Sequence, residues 1–107
     1  MSLENAEVID FVALGADGST VTLYLVATEP WRTEKQSLLL QAKLRNYVAF
    51  AADGQLLKDY PSVAGLRKLI DIRTTYPLPD IEQRLVEFAR EHWCAPEEIT
   101  LLTSSGP

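Results

Sequence analysis

The sequence has 107 residues, 47% of them hydrophobic and 23% charged, which predicts one globular domain over 1–107 and excludes fibrous or largely disordered structure. Ten Lys and Arg against fifteen Asp and Glu give a net charge of −5. The basic residues are scattered, which argues against a nucleic-acid or anionic-membrane surface. The acidic excess leaves two interpretations: it keeps the protein soluble, or it selects a basic partner.

The apolar runs, the N-terminus and the cysteine content together predict the cellular location of the protein. No apolar stretch approaches the roughly 20 residues that span a bilayer, and the N-terminus lacks the basic and hydrophobic segments of a secretory signal. A lone cysteine, Cys94, cannot form an internal disulfide. We therefore expect a cytoplasmic protein with flexible ends at 1–6 and 104–107.

The first elements predict a β-hairpin. Val8 to Leu14 is a short apolar run, and Thr20 to Val26 alternates polar and apolar residues with the period of a strand. Between them Asp17-Gly18 has typical turn chemistry, because glycine accepts a positive φ. The two strands are expected to pair in antiparallel fashion.

A helix is predicted after Glu29-Pro30, which ends the second strand. Thr33 and Gln36 fit a capping box, and Asp53-Gly54 is suited to end the helix after about Ala52. Lys43, Arg45 and Asn46 are assigned to its solvated side. The predicted buried stripe consists of Leu40, Leu44, Tyr47, Val48 and Ala51.

The central part of the chain predicts a loop and then a third strand. Gln55 to Gly65 has no sustained period, so we expect an ordered loop with one helical turn. Arg67 to Tyr76 regains a period of two. Ile70, Ile72, Thr74 and Tyr76 are predicted on its buried face, with Asp71, Arg73 and Thr75 on the other.

A second helix is predicted from Pro79, which suits a first helical position, to about Trp93, since Pro96 prevents continuation. Glu98 to Thr103 follows as a short fourth strand. Glu82 is assigned to the solvated side of the helix. Its predicted buried stripe consists of Ile81, Leu85, Phe88, Ala89 and Trp93.

Together these elements predict an α+β two-layer sandwich in the order β-β-α-β-α-β, with two helices on one face of a four-stranded, mostly antiparallel sheet. The opposite sheet face is expected to carry Thr22, Tyr24, Asp71, Arg73 and Thr75. Asp10 joins them if the first strand buries Ile9, Phe11 and Ala13.

Five short segments carry a resemblance to known proteins: Val8-Ile9-Asp10-Phe11, Glu29-Pro30-Trp31, Leu38 to Leu44, Tyr60-Pro61 before Gly65, and Tyr76-Pro77. Together they resemble a family of short bacterial proteins known only as a domain of unknown function. The resemblance covers about Asn5 to Leu102 and implies this fold, but it supplies no catalytic or ligand residue.

The sequence contains little recognisable catalytic chemistry. His92 and Cys94 are the single imidazole and thiol, and two positions apart on a helix they point about 200° apart, which disfavours a dyad. Cys94 is expected to be a buried small hydrophobe. One His and one Cys also make zinc improbable. We therefore predict no catalytic residue, no metal and no cofactor.

Four residues are the binding candidates: Tyr24, Asp71 and Arg73 on the open sheet face, and Trp31 in a connection. Trp31 either marks an interface or closes one end of the core. Asp10 and Asp71 form either a carboxylate pair for acid–base work or, with Arg73, an ion pair or subunit contact.

Three functional hypotheses remain open. The leading one is a non-enzymatic protein-interaction domain, a homodimer that uses the sheet face or the Trp31 region. The second is an acidic, immunity-like protein that neutralises a basic toxin. The third is a small-molecule binder or enzyme that acts through Tyr24, Asp71 and Arg73.

Overall fold

The computed structural model describes Leu3 and residues 8–105, which form a sheet and a layer of helices. Its strands are β1 (Phe11–Leu14), β2 (Thr20–Ala27), β3 (Arg67–Thr74) and β4 (Ile99–Ser105). Its α-helices are α1 (Glu34–Ala52), α2 (Gln55–Asp59) and α3 (Asp80–Ala89). Short 3₁₀ turns cover Pro61–Val63 and Ala95–Glu97, and a π-helical turn covers Arg90–Cys94.

The sheet is mixed, with the spatial order β1-β2-β3-β4. β1 pairs with β2 in antiparallel fashion, whereas β2–β3 and β3–β4 are parallel. The prediction of a mostly antiparallel sheet was therefore wrong. The reason is length: at 1.5 Å per residue the 19 residues of α1 span about 28 Å, close to the 26 Å of the eight-residue β2. The helix thus returns the chain to the starting end of β2, and β3 must run parallel to it.

The predicted hairpin is confirmed, and Asp17 organises its turn. The Asp17 carboxylate accepts hydrogen bonds from the Ser19 backbone N–H at 2.9 Å and from the Ser19 hydroxyl at 2.7 Å. These bonds stabilise the charged carboxylate and lower the pKa of Asp17. Gly18 has a φ of 74°, which favours glycine at this position.

The bounds, capping box and buried stripe predicted for α1 are confirmed. The Gln36 carboxamide oxygen accepts the Thr33 backbone N–H at 3.0 Å, and Gly54, at φ 88°, follows the helix end. One assignment was wrong, because Lys43 is completely buried. Its position, three residues after Leu40 and four before Tyr47, lies on the core-facing side.

The interval between α1 and β3 contains α2 as the predicted helical turn and, in addition, the 3₁₀ turn Pro61–Val63, with Leu56 and Val63 buried. The second predicted helix differs in two ways. It divides into α3 and the π-helical turn, and the centre of its buried stripe is rotated by about 50° around the helix axis, half the angle between successive residues.

The rotation leaves Ile81 and Phe88 exposed and buries Glu82 and Val86, contrary to prediction. Ala89 is buried as predicted, and Leu85 and Trp93 pack partly buried against the core. Glu82 is accommodated because its carboxylate accepts a 2.6 Å hydrogen bond from the Ser37 hydroxyl of α1. This bond joins α1 and α3 side by side. The helix phase is therefore set by a contact between helices that periodicity along one helix does not reveal.

The helices cover one face of the sheet, as predicted. Alternate strand residues are buried beneath α1 and α3, while the intervening residues of β2 remain partly exposed. The strand residues buried on the helix-covered side are Val21, Leu23, Leu25, Ala27, Ile70, Ile72, Thr74, Ile99 and Leu101.

Most of the predicted flexible ends, 1–6 and 104–107, lies outside the described residues. Of these positions the structure describes Leu3, which is buried, and Ser104 and Ser105, which belong to β4. No helix in the described part of the chain is long and apolar enough to cross a membrane.

Candidate functional site: the open sheet face

One row of side chains crosses all four strands on the face that the helices leave open. The strand register places Phe11 opposite Tyr24, Tyr24 opposite Asp71, and Asp71 opposite Leu102. Side chains at matched positions in neighbouring strands point to the same side of a sheet. We call these four residues the sheet-face row.

Direct contacts connect the row to Arg73. The rings of Phe11 and Tyr24 meet edge to face at 6.0 Å, and the Arg73 guanidinium lies 4.9 Å from the centre of the Tyr24 ring. The same guanidinium donates to the Asp71 carboxylate at 3.2 Å. Ser104 donates its hydroxyl to the other Asp71 oxygen at 3.3 Å.

The row is apolar at its ends and charged at its centre. Phe11 and Leu102 expose 58% and 42% of their surface, whereas Asp71 is 8% exposed. The Asp71–Arg73 pair fixes the orientation of the charged groups and contributes about 0–1 kcal/mol, since the Arg73 side chain is largely open to solvent.

Charge is distributed unevenly between the two faces of the molecule. Among the described strand residues that alternate onto the open face, the charged ones are Arg67, Asp71 and Arg73. The acidic excess of the chain therefore lies elsewhere. Exposed acidic residues occupy α3 and the turns after it, namely Asp80, Glu87, Glu91, Glu97 and Glu98.

Asp10 is not on the open face, so the proposed Asp10–Asp71 carboxylate pair does not form. The Asp10 side chain is 3% exposed and makes a 2.8 Å ion pair with the fully buried Lys43 of α1. Its second carboxylate oxygen accepts the Val26 backbone N–H at 3.0 Å. Asp10 therefore turns inward and Phe11 outward, the reverse of the alternation that would have placed Asp10 beside Asp71.

Tyr47 completes this inner polar cluster. Its hydroxyl accepts the Asp10 backbone N–H at 2.7 Å and donates to the Tyr24 carbonyl at 2.6 Å. Burial of the phenol raises the pKa of Tyr47. The cluster of Asp10, Lys43 and Tyr47 thus connects α1 by hydrogen bonds to β2 and to the residue that precedes β1, on the side of the sheet opposite the sheet-face row.

Trp31 is separate from the sheet-face row. It lies in the connection from β2 to α1, where its ring packs partly buried against the core. The indole N–H donates to the Tyr76 carbonyl at 3.3 Å, which ties this connection to the segment after β3. This geometry matches the interpretation of Trp31 as a residue that closes one end of the core.

His92 and Cys94 both belong to the π-helical turn but have different environments. Cys94 is fully buried, as predicted, and burial raises the pKa of its thiol. His92 is exposed, and its ring lies 4.4 Å from that of Phe88. Within the described residues, no group of three or more His, Cys, Asp or Glu side chains is arranged to hold a metal ion.

Sequence reasoning identified Tyr24, Asp71 and Arg73 on this face but missed Phe11, Leu102 and Ser104. Phe11 was considered only as a core residue, in the alternative in which Asp10 joins the open face. The signal that identifies it is Lys43: a lysine on a buried helical stripe requires a carboxylate nearby, and Asp10 is the one that meets it.

Comparison with protein-family models matches residues 1–101 to DUF6572, a family of unknown function. The comparisons with curated proteins and with solved structures found no match.

Proposed function

Since the chain belongs to DUF6572, a family of unknown function, we propose from its geometry that it is a non-enzymatic protein-interaction domain that forms a homodimer through the open sheet face. The observation that carries this proposal is the sheet-face row, in which two exposed apolar residues flank a charged pair on a broad face without a covering helix.

The charged pair makes this face complementary to itself. In a two-fold symmetric dimer the same surface contacts its own copy. Asp71 and Arg73 are two residues apart on β3, so a second copy rotated by 180° brings each Arg73 towards the partner's Asp71. Phe11 and Leu102, on opposite edge strands, supply apolar contacts at the two sides of such an interface.

Charge also favours this face, and its size suits a weak dimer. The 27 strand residues, at 4.8 Å between strands and 3.3 Å along them, give a plan area of about 430 Å² per subunit, or about 860 Å² in total, which is the size of a weak, concentration-dependent interface. Dimerisation here removes the weakly charged face from water. The acidic side chains of α3 remain outside, where they keep the dimer soluble.

Sedimentation velocity of the full chain at high micromolar concentration tests the proposal. We expect a dimer for the unaltered protein and a monomer for Phe11→Glu and Leu102→Glu. The matched controls are Phe88→Glu and Leu38→Glu, which alter residues of similar exposure on the helical side and should leave the dimer intact. A monomer at every concentration contradicts the proposal, as does dissociation caused only by the control variants.

A second candidate function rests on the acidic residues of α3 and the turns after it. Their exposure on one part of the surface suits a basic protein partner, as in an immunity-like role. This role is supported if a neighbouring gene encodes a basic toxin and if the present protein binds that toxin more weakly at high salt. Absence of such a neighbour among related chains removes its basis.

A further inference from the structure

A cleft opens at the carboxyl ends of the parallel strands, beside α3, and meets the open sheet face at Ser104, which also donates to Asp71. Its volume is about 290 Å³, near the lower limit for small-molecule sites. Val86 and Leu78 supply apolar wall, and the hydroxyl-bearing Thr103 and Ser105 of β4 lie along one side. The remaining side is formed by Glu87 and Arg90 of the helical segment.

Thr74 lines this cleft and has an unusual hydrogen-bonding state. It is 5% exposed, and its hydroxyl is the single buried side-chain polar atom without a hydrogen-bond partner within residues 8–105 and Leu3. Burying a hydroxyl without a hydrogen-bond partner is unfavourable. A polar group in the cleft would supply the partner once rotation about χ1 turns the hydroxyl towards it.

Glu87 and Arg90 determine which charged groups of a ligand the cleft can accommodate. The Arg90 guanidinium donates through Nε to the Leu101 carbonyl at 3.1 Å and through one terminal nitrogen to Glu87. Its other terminal nitrogen makes no hydrogen bond to a described residue and is available to a carboxylate. The second Glu87 oxygen is likewise available to an ammonium group. Because the pair is neutral overall, it favours a ligand that is also neutral overall but carries both charges.

From this arrangement we propose that the cleft binds a small zwitterion of the α-amino-acid class. Arg90 receives the carboxylate, Glu87 receives the ammonium group, and Thr74 forms a hydrogen bond with a polar atom of the ligand. The cleft shares Ser104 with the open sheet face, but its three proposed ligand-binding residues lie outside the sheet-face row, so the two proposals are tested by different variants.

Thermal unfolding of the full chain with each standard L-amino acid provides the test, with propionate and propylamine as probes of one charge each. We expect at least one amino acid to raise the midpoint, by about 10 °C at a hundred times its Kd. Neither single-charge probe should reproduce the shift. Equal shifts from propionate or propylamine overturn the zwitterion assignment, and no shift from any amino acid overturns the site.

Two variants identify the residues. Thr74→Val should abolish the amino-acid shift while the unliganded midpoint stays the same or rises, because a methyl group replaces the unpartnered hydroxyl. Glu87→Gln, at an exposed position, should weaken binding about ten-fold. Thr100→Val, an exposed threonine of β4 outside this cleft, is the matched control and should bind normally.

Unchanged affinity in both Thr74→Val and Glu87→Gln overturns the proposal. Binding should survive in Phe11→Glu, which is designed to break the dimer. Retained amino-acid binding in a monomeric protein therefore separates failure of the dimer proposal from failure of this one.

Discussion

Removing Lys43 alone should be much more harmful than removing Lys43 and Asp10 together. The two side chains are 0% and 3% exposed and their charged atoms lie 2.8 Å apart. At an effective dielectric constant of 20 their attraction is about 6 kcal/mol, which is largely offset by the several kcal/mol needed to take each ion out of water. Loss of one partner leaves the other ion buried without this compensation.

We therefore expect Lys43→Met to lower the free energy of unfolding by about 3–5 kcal/mol, and Asp10→Asn to lower it by a similar amount. In the double variant the carboxamide introduced at position 10 keeps an acceptor for the Val26 N–H, and the methionine side chain fills the volume of the lysine. The free energy of unfolding of this variant should lie within about 1 kcal/mol of the original value.

Urea unfolding followed by circular dichroism measures all four proteins of this double-mutant cycle. Tyr47→Phe, which keeps the ion pair, controls for general damage to the core. If Lys43→Met lowers the free energy of unfolding by less than about 1 kcal/mol, the reasoning is contradicted, because removing one member of a buried ion pair leaves the other charge buried without its partner. Additive costs in the double variant also contradict it.

The remaining predictions concern three other residues. The free energy of unfolding should fall as the pH rises above about 10. The raised pKa of Tyr47 keeps the phenol protonated in the folded chain, whereas the phenol of the unfolded chain loses its proton. The fall should therefore be shallower in Tyr47→Phe. Denaturant titrations at several alkaline pH values measure the slope, and identical slopes would contradict the assignment. The thiol of Cys94 should react with a thiol-specific reagent only at the rate at which the protein opens, since it is fully buried; fast labelling of the folded protein would show otherwise. Gly54→Ala should cost about 1 kcal/mol, because φ is 88° there although nothing obstructs an added methyl group, and thermal unfolding measures the loss.

The sequence predicted those elements whose signals lie within a few neighbouring residues. Asp17-Gly18 specified the hairpin turn, and the capping residues together with Gly54 set the bounds of α1. The alternation through β3 predicted Asp71 and Arg73 on the open face, and the structure has both residues there.

The errors occur where distant residues decide the outcome. Asp10 was free to face either side until Lys43, 33 positions later, supplied the partner that draws it inward. Glu82 similarly requires Ser37 from another helix before it can be buried. The direction of β3 depended on how far α1 carries the chain back along the sheet. The predicted order of strands and helices does not contain this distance.

The parallel pairing of β2 with β3 has a consequence for how the molecule assembles. Thr20 pairs with Arg67, and 67 − 20 gives a separation of 47 residues, so the hairpin cannot gain its central neighbour until the whole of α1 and the following turns have been synthesised. Closing such a long loop costs chain entropy before any strand contact repays it. During synthesis α1 emerges first and can pack over Leu23 and Leu25, whereas the free edge of β2 gains its hydrogen-bonding partner only when β3 has been made.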